Sequence, residues 1–387
     1  MLKIKTYKYR LYPTAKQIQK LEWTLDKCRI LYNSCLLDRR NYYEQTGKSL
    51  SRIKQQVILK NDKDKFIFFN DIHSQVLQDV LFRVDKAFQT FFRRVKAGEK
   101  AGYPRFKSEG RYDSITYPQQ PGFAITPQGL KLSKIGTIKI KLHRQPEGII
   151  KTCIVRRDAD KWYACFSVEY KPITKPIPDK AIGIDVGIKS FAVLSDGQII
   201  ENPKHLCKSE KKLICKQRKL SLKKKGSQNR KKARKVVAKL HCKVKNQRSD
   251  FHHKVSRKIV DTCGFIAVED LNIKGMVKNH HLAKSISDAG WGQFLNYLQY
   301  KAEDAGVQIE KVAPHHTSVI CNICGEKVSK TLADRIHNCP FCKTVLDRDH
   351  NAAINILNRA GTARINAWGE GWLQPSLNQE APSVRAG

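Results

Sequence analysis

The sequence lacks an apolar run long enough to cross a membrane, and its beginning, MLKIKTYKYRLYPTAK, lacks the apolar core of a secretory signal. Acidic residues are also scarce, since 35 Asp and Glu stand against 73 Lys and Arg. The first two absences disfavour an integral membrane protein and predict a cytosolic one. The third excludes an electrically balanced surface, so the partners of this chain must be sought among anions.

Two further absences restrict the chemistry. We find no Ser, Thr or Cys nucleophile with an adjacent base, which disfavours covalent hydrolases. The start of the segment AIGIDVGIKS, with Asp185 and Gly187, resembles the first strand of sugar-kinase or actin-like ATPases, but the sequence lacks the second phosphate-binding glycine loop that such an ATPase needs. The question is then what a carboxylate at the end of a buried strand holds.

The composition is that of a folded, strongly basic protein. The 387 residues are 41% apolar and 28% charged, which suits two or three globular domains, and the formal net charge is +38. Such a chain repels itself unless a polyanion covers much of its surface, and nucleic acid is favoured over a membrane surface. Twelve cysteines without a secretory signal predict reduced thiols or metal ligands in place of disulfides.

Periodicity predicts helices in the first third of the chain and strands in the second. A basic strand is followed by Thr14 and Gln17, which form a capping-box pattern, and apolar side chains at helical spacing continue to about residue 107. From about 112 to 170 the apolar period is two, which predicts a small β domain completed by the N-terminal strand. The proline-rich YKPITKPIPDK then predicts a linker.

The remaining chain alternates strands and helices. AIGID, SFAVLS and QIIEN predict a three-stranded meander, a basic helical stretch follows from 204 to 258, and GFIAVED is a buried strand. Ser287 and Asp288 are expected to cap a helix that carries Trp291, VQIEKV is another strand, and a last helix begins near Asp349. This order of elements is that of an RNase H-like fold.

Two CxxC pairs separated by fourteen residues form the strongest local motif. Cys321, Cys324, Cys339 and Cys342 are predicted to bind one zinc ion, and because four thiolates close the coordination sphere, the zinc is structural. The spacing of His205, Cys207, Cys215 and His241 is too irregular to favour a second zinc site.

Three acids occupy comparable places at the ends of predicted elements. Asp185 lies on the first strand of the meander, Glu269 ends the strand after the basic stretch, and Asp349 opens the last helix. Taken singly, Asp185 could bond a neighbouring turn, Asp270 could replace Glu269, and Asp349 could merely cap its helix. An RNase H-like order brings the three places together, where crowded carboxylates are typical of a site for two Mg²⁺ ions that hydrolyses phosphodiesters.

The blocks GIDVGIKSFAVLSDG, AVEDLNIKGMVKN, LAKSISDAGWGQF and DRDHNAAINI, with the two CxxC pairs, resemble the transposon-encoded TnpB family of RNA-guided nucleases related to type V CRISPR effectors. YKYRLYPT and GYPRFKS near the start also fit, so the resemblance covers most of the chain. By position it implies that Asp185, Glu269 and Asp349 are the catalytic acids, with Asp347 the less favoured acid of its block.

The resemblance implies a multidomain α+β protein: a helical recognition domain inserted in a small β-barrel, then an RNase H-like (RuvC) α/β nuclease domain with an inserted zinc ribbon. We expect the wedge-like barrel at 1–13 and 112–176, the helical domain at 14–111, the nuclease domain at 177–318 and 346–372, the ribbon at 319–345, and a disordered tail at 373–387.

The implied partners are a guide RNA derived from the transposon end and target double-stranded DNA cut beside a short adjacent motif. No obligate protein partner is evident, and the expected location is the prokaryotic cytoplasm, at the nucleoid when bound to target. Residues 204–258 contain 22 Lys and Arg but two acids, which predicts a nucleic-acid surface. Its proposed contacts are Lys223, Lys224, Lys225, Arg230, Lys231, Lys232, Arg234 and Lys235.

Two other functions fit the same residues. An RNase H-like transposase that cuts and joins element ends also uses three acids, and strand-transfer products would distinguish it. An RNA-guided DNA-binding repressor without cleavage would bind the same nucleic acids, but such a derivative is expected to have lost acids, and all three are present.

Overall fold

The computed structural model describes residues 2–172, 176–331 and 334–368, with side chains up to 361. It divides into two compact units, Met1–Pro172 and Ile173–Gly387. The predicted disordered tail at 373–387 lies outside the described residues, as does part of the predicted proline-rich linker. None of the described helices is both long and apolar enough to cross a membrane.

The first unit combines three helices with a seven-stranded sheet. Its elements are β1 Lys3–Tyr12, α1 Ala15–Thr46, α2 Arg52–Lys65, a 3-10 turn Ile67–Asp71, α3 Ser74–Lys96, β2 Ser114–Tyr117, β3 Phe123–Thr126, β4 Gly129–Leu132, β5 Gly136–Lys141, β6 Ile149–Asp158 and β7 Lys161–Tyr170. The sheet has the order β2-β6-β7-β1-β5-β4-β3, and every pairing is antiparallel. The N-terminal strand therefore completes the sheet, as the alternation predicts.

Helices and sheet of this unit share one hydrophobic core. Leu21 of α1 and Leu81 of α3 belong to the same buried cluster as Val155 and Phe166 of the sheet. The predicted capping box starts α1, since Gln17 N–H donates to Thr14 Oγ1 (3.3 Å) and Thr14 N–H donates to Gln17 Oε1 (3.0 Å). Local sequence thus decides where α1 begins, and apolar burial decides how it packs.

The second unit is an α/β unit with a five-stranded sheet and a small two-stranded ribbon. Its elements are β8 Ala181–Val186, β9 Ser190–Leu194, β10 Ile199–Glu201, α4 His205–Ser221, α5 Gln228–Thr262, β11 Phe265–Glu269, α6 Ile273–Met276, α7 His280–Ala289, α8 Trp291–Ala305, β12 Gln308–Val312, β13 Ile336–Asn338, β14 Val345–Asp347 and α9 Arg348–Trp368.

The five-stranded sheet has the order β10-β9-β8-β11-β12. The first three strands form the predicted antiparallel meander, whereas β11 is parallel to both β8 and β12. Both faces are covered, because Ile266 packs in a cluster with Phe294 of α8 while Ala267 packs with Ile356 of α9. Strand β11 is therefore a continuous apolar run, as a strand buried on both faces requires.

One predicted cap is wrong. Ser287 and Asp288 lie inside α7, and α8 follows Gly290, whose φ of 69° ends α7 in the left-handed region. Asp288 instead accepts hydrogen bonds from the N–H groups of Leu206 (2.9 Å) and Cys207 (3.3 Å) at the start of α4. The prediction failed because an acid can cap a helix distant in sequence, and local spacing does not show this.

Candidate functional site

Strand pairing brings Asp185 and Glu269 to the same edge of the five-stranded sheet. Because β8 and β11 are parallel, with Ile184 beside Val268, the residue that follows each of them lies at the carboxyl end of its strand. Side chains alternate along a strand, so Asp185 shares a face with Gly183, and Glu269 shares a face with Ala267. That is the face covered by α9.

The third acid reaches this edge because α9 lies very close to β8. A Cβ atom on Gly183 would lie 2.1 Å from the carbonyl oxygen of Ala353, so only glycine fits there. The contact holds the first turns of α9 against the end of β8, and Asp349 lies in the first of them. Gly183 thus allows α9 to approach β8 closely enough to bring Asp349 near Asp185. The apolar periodicity of the sequence did not reveal this role.

The electrostatics of Asp185 show that other acids act on it. Burial, together with the negative charges of Glu269 and Asp349 and a smaller effect of Asp347, raises the pKa of Asp185 to about 8, while Arg348 opposes them. At neutral pH this carboxyl group therefore holds its proton unless a cation replaces it. A carboxyl group with such a raised pKa can bind a metal ion or act as a proton donor.

Glu269 has a partner that the sequence did not indicate. Burial raises its pKa, whereas the hydroxyl of Thr317, which donates to Oε1 at 2.6 Å, and the charge of Arg359 lower it. The net direction is upward. The ionisation of Glu269 is therefore disfavoured by burial and favoured by Thr317 and Arg359.

The competing acids have other surroundings. Asp347 caps α9, because the N–H groups of Asp349 (2.8 Å) and His350 (3.2 Å) donate to its Oδ1. Asp349 is thus released from capping, and it contacts Arg348 (Nε to Oδ1, 3.5 Å). Asp270 is exposed, whereas Glu269 is half-buried. These placements favour Glu269 and Asp349 over Asp270 and Asp347, although the catalytic assignment stays a prediction.

The carboxylates do not close around one point. In the part of the chain that the structure describes, the only group of three or more His, Cys, Asp or Glu ligand atoms mutually within 4.8 Å is the set of four cysteines. Oxygen donors on half-buried elements are the ligand class that Mg²⁺ prefers.

The four cysteines form a compact tetrathiol site. The sulfur of Cys321 lies 3.5 Å from that of Cys342, the sulfur of Cys324 lies 3.5 Å from that of Cys339, and all four lie within 4.8 Å of one another. A tetrahedron with Zn–S bonds of about 2.3 Å separates its sulfurs by about 3.8 Å, so the geometry fits zinc. The predicted ligand set is therefore brought together as its spacing required.

The ribbon around this site has little core of its own. Its buried apolar cluster consists of Cys321, Val328 and Cys339, with Cys342 packed against it. Hydrogen bonds with the side chain and N–H of Thr344, and then with Cys321 and Cys339, lower the pKa of Cys342 to about 6, which favours a thiolate at this position. A metal ion is what replaces a core in so small a module. No second cluster forms among the described residues at His205, Cys207, Cys215 and His241.

The predicted nucleic-acid residues lie where α4 turns into α5. Lys223, Lys224 and Lys225 are exposed in the turn, and Lys232, Arg234 and Lys235 are exposed on α5. Arg230 differs from them, because its Nη1 donates to the carbonyl oxygens of Leu220 (3.1 Å) and Lys223 (2.6 Å). Arg230 therefore holds the turn that presents the lysines.

Three family models match this chain. The model described as "Probable transposase" matches residues 165–280, a "Helix-turn-helix domain" matches 1–48, and "Cas12f1-like, TNB domain" matches 291–356. The last of these includes all four zinc-site cysteines and Asp349.

Similar proteins extend over nearly the whole chain. A Streptomyces pristinaespiralis protein named "Putative RNA-guided DNA endonuclease" is 35% identical over 95% of this chain and 91% of its own length. The TnpB-like protein L770 of Acanthamoeba polyphaga mimivirus is 25% identical over 92% of this chain and 73% of its own. A cryo-EM structure of a Cas12f1-sgRNA-target DNA complex aligns with 92% of this chain and 100% of its own at 18% identity and a TM-score of 0.35.

Proposed function

The chain belongs to the TnpB family, and from this premise we propose that it is an RNA-guided endonuclease. It binds a guide RNA that derives from the transposon end, and it cleaves double-stranded DNA beside a short adjacent motif. It acts in the prokaryotic cytoplasm, at the nucleoid when bound to target. The observation that carries the proposal is the convergence of three carboxylates at one sheet edge in a protein of net charge +38.

The second unit is proposed to be the RuvC-like nuclease domain. Its strand order, with three antiparallel strands followed by two parallel ones, is that of RNase H-like folds, and the zinc ribbon lies between β12 and α9. In the first unit the seven-stranded sheet is the proposed wedge-like barrel, and α1 to α3 are the proposed recognition domain inserted into it. The proposed boundaries remain those derived from the sequence.

Asp185, Glu269 and Asp349 are proposed to hold two Mg²⁺ ions, which when bound would supply water activation and stabilisation of the leaving oxygen. The chain itself contributes three things. Parallel β8 and β11 fix the separation of two carboxylates, Gly183 lets α9 bring in the third, and burial keeps the site from being a solvated acidic patch. The four cysteines hold a structural zinc that takes no part in hydrolysis.

The direct test is to purify the protein with its copurifying RNA, sequence that RNA, and supply a supercoiled plasmid with a matching target. We expect a non-coding RNA with a variable 3′ end and Mg²⁺-dependent cutting of both strands at the matched site. Bulk cellular RNA, or a plasmid that stays supercoiled, would contradict the proposal.

Transposase activity is the second candidate, since the family model over 165–280 is described as a probable transposase. It uses the same acids, so active-site variants cannot distinguish the two functions. Joined products between element ends and target DNA would identify a transposase, whereas simple double-strand breaks at guide-matched sites would identify a nuclease. A repressor without cleavage is disfavoured because all three carboxylates are present and converge.

Neutralising the exposed turn should weaken guide-RNA binding in a salt-dependent manner. Changing Lys223, Lys224 and Lys225 together to Gln removes three cations, so the slope of log affinity against log salt should fall by up to about 2. Filter binding at several salt concentrations measures this slope. The matched control is the triple change to Arg, which keeps the charge and should keep the slope. Equal slopes for the Gln and wild-type proteins would show that these lysines are merely solvated.

A further inference from the structure

Side chains of helix α9 form hydrogen bonds with the backbone of the segment that joins β12 to the first pair of zinc ligands. In residues 313–320, the carbonyl oxygens of Thr317 and Ile320 accept hydrogen bonds from Asn355 Nδ2 at 2.8 and 2.7 Å. The carbonyl oxygen of Ile320 also accepts from Asn351 Nδ2 at 2.8 Å. One face of α9 therefore holds this segment by its backbone, at positions four residues apart.

Further hydrogen bonds from the same face of α9 lie on both sides of these contacts. Arg359, four residues beyond Asn355, donates from Nη1 to the carbonyl oxygen of His315 at 2.9 Å. Toward the zinc ligands, Asn351 Oδ1 accepts from the N–H of Asn322 at 3.0 Å. The backbone is thus held on both sides of Thr317.

The contacts from Asn351 and Asn355 are buried or partly buried, whereas those from Arg359 are exposed. Asn351 is fully buried, Asn355 is 9% exposed and Thr317 is 4% exposed. A buried amide that loses its partner has no water to replace it, which makes each of these hydrogen bonds costly to break. The backbone at Thr317 is therefore held by a buried hydrogen bond from Asn355.

The side chain of Thr317 points from this fixed backbone to a proposed catalytic acid. Its hydroxyl donates to Glu269 Oε1 at 2.6 Å, across 48 residues of sequence. A hydroxyl has one proton to donate, so the bond fixes one carboxylate oxygen and the rotation of the group. Because α9 also carries Asp349, a single helix sets the position of two of the three acids.

We propose that Thr317 is a positioning residue for Glu269 and that Asn355 and Asn351 hold it in place through the backbone of residues 313–320. The inference rests on the proposed function, in that Glu269 is taken as a metal ligand. It also gives the zinc ribbon a role, because the first zinc ligand follows residues 313–320 directly. An ordered ribbon would keep these residues hydrogen-bonded to α9.

The chemistry of the contact supports this role. A carboxylate that loses hydration needs a donor to stay ionised, and a donor on one oxygen presents the other for coordination. Partners that orient a metal ligand typically change metal affinity by about 10- to 100-fold when removed. Thr317 should therefore affect how tightly the acids hold a divalent cation, without contacting the cation itself.

The test is a titration of the RNA-free full-length protein with Mn²⁺, followed by electron paramagnetic resonance. Thr317→Val replaces the hydroxyl with a methyl group of similar size and should raise the Mn²⁺ dissociation constant by about 10-fold or more. Thr317→Ser keeps the hydroxyl and should stay close to wild type. Zinc content should be unchanged in both, which shows that the zinc ribbon stays folded. Equal Mn²⁺ affinity in the Val, Ser and wild-type proteins would overturn the proposal.

A parallel variant separates this inference from the proposed function. Glu269→Gln should lose Mn²⁺ affinity if Glu269 is a ligand. If Glu269→Gln binds Mn²⁺ as wild type does, the metal site itself is wrongly assigned. If Glu269→Gln loses affinity and Thr317→Val does not, the site stands and the positioning role of Thr317 is wrong.

A double-mutant cycle tests whether the hydrogen bonds from α9 to residues 313–320 act through Thr317. Asn355→Ala should weaken Mn²⁺ binding when Thr317 is present and should add little in the Thr317→Val background, because both changes break the same path. Additive losses would show that Asn355 acts on the metal site by another route and would overturn that part of the proposal.

Discussion

Asp185→Asn should abolish guided cleavage of both DNA strands while leaving guide-RNA and target binding intact. The change removes one carboxyl oxygen from a buried acid on which the charges of Glu269 and Asp349 act, and it alters no basic residue. We expect the cleavage rate to fall by about 10³-fold or more, which corresponds to about 4 kcal/mol of transition-state stabilisation. Plasmid cleavage and filter binding on the same ribonucleoprotein measure the two effects separately.

The matched control is Asp270→Asn, because Asp270 is an exposed acid next to Glu269. It should retain activity. Glu269→Gln and Asp349→Asn should resemble Asp185→Asn, and combining them should add little, since ligands of one site are lost together. Wild-type cutting by folded Asp185→Asn would show that Asp185 is a structural acid.

The same Asp185 variant should be more stable than wild type when metal is withheld at alkaline pH. The folded protein raises the pKa of Asp185 from its ordinary value near 4 to about 8, so the folded state binds a proton that the unfolded state releases. The stability from that proton is full below about pH 4 and is lost as pH rises toward 8. Asn mimics the protonated form and escapes this loss.

Thermal melts in EDTA at pH 5 and pH 8.5 check the sign. Wild type should lose several degrees more than Asp185→Asn between these values, and Mg²⁺ should restore wild type but not the variant. Parallel melting curves for the two proteins would mean that Asp185 ionises as freely folded as unfolded.

Cys339→Ser should remove zinc and unfold the ribbon. Cys339 is fully buried, and the described part of the ribbon has three buried apolar residues, so the bound metal must supply most of its stability. Elemental analysis should show close to one zinc per wild-type chain and almost none in the variant. The ribbon directly follows residues 313–320, which carry Thr317 beside Glu269. The cleavage rate should therefore also fall.

The control for zinc loss is Cys207→Ser, an exposed cysteine in the same unit. It should keep full zinc content and activity, since no metal cluster forms around it among the described residues. Undiminished zinc in Cys339→Ser would reject the tetrathiol site, and zinc loss in Cys207→Ser would point to a second site after all.

The sequence by itself determined the features whose partners are near in the chain. Two CxxC pairs predicted the zinc ligands, because each pair spans one turn of backbone and so its sulfurs must be neighbours. Thr14 and Gln17 predicted the start of α1 for the same reason. The excess of 73 bases over 35 acids required no structure to point toward nucleic acid.

The tertiary structure decided among residues that local pattern left equivalent. Asp347 and Asp349 both open the last helix, and only the hydrogen bonds show that Asp347 caps it. The expected cap at Asp288 was wrong because Asp288 caps α4 from 82 residues away. Thr317 had no signal at all, since its partner Glu269 is 48 residues distant. Local spacing fixes contacts within a turn, whereas contacts between elements exist only after strands pair and helices pack.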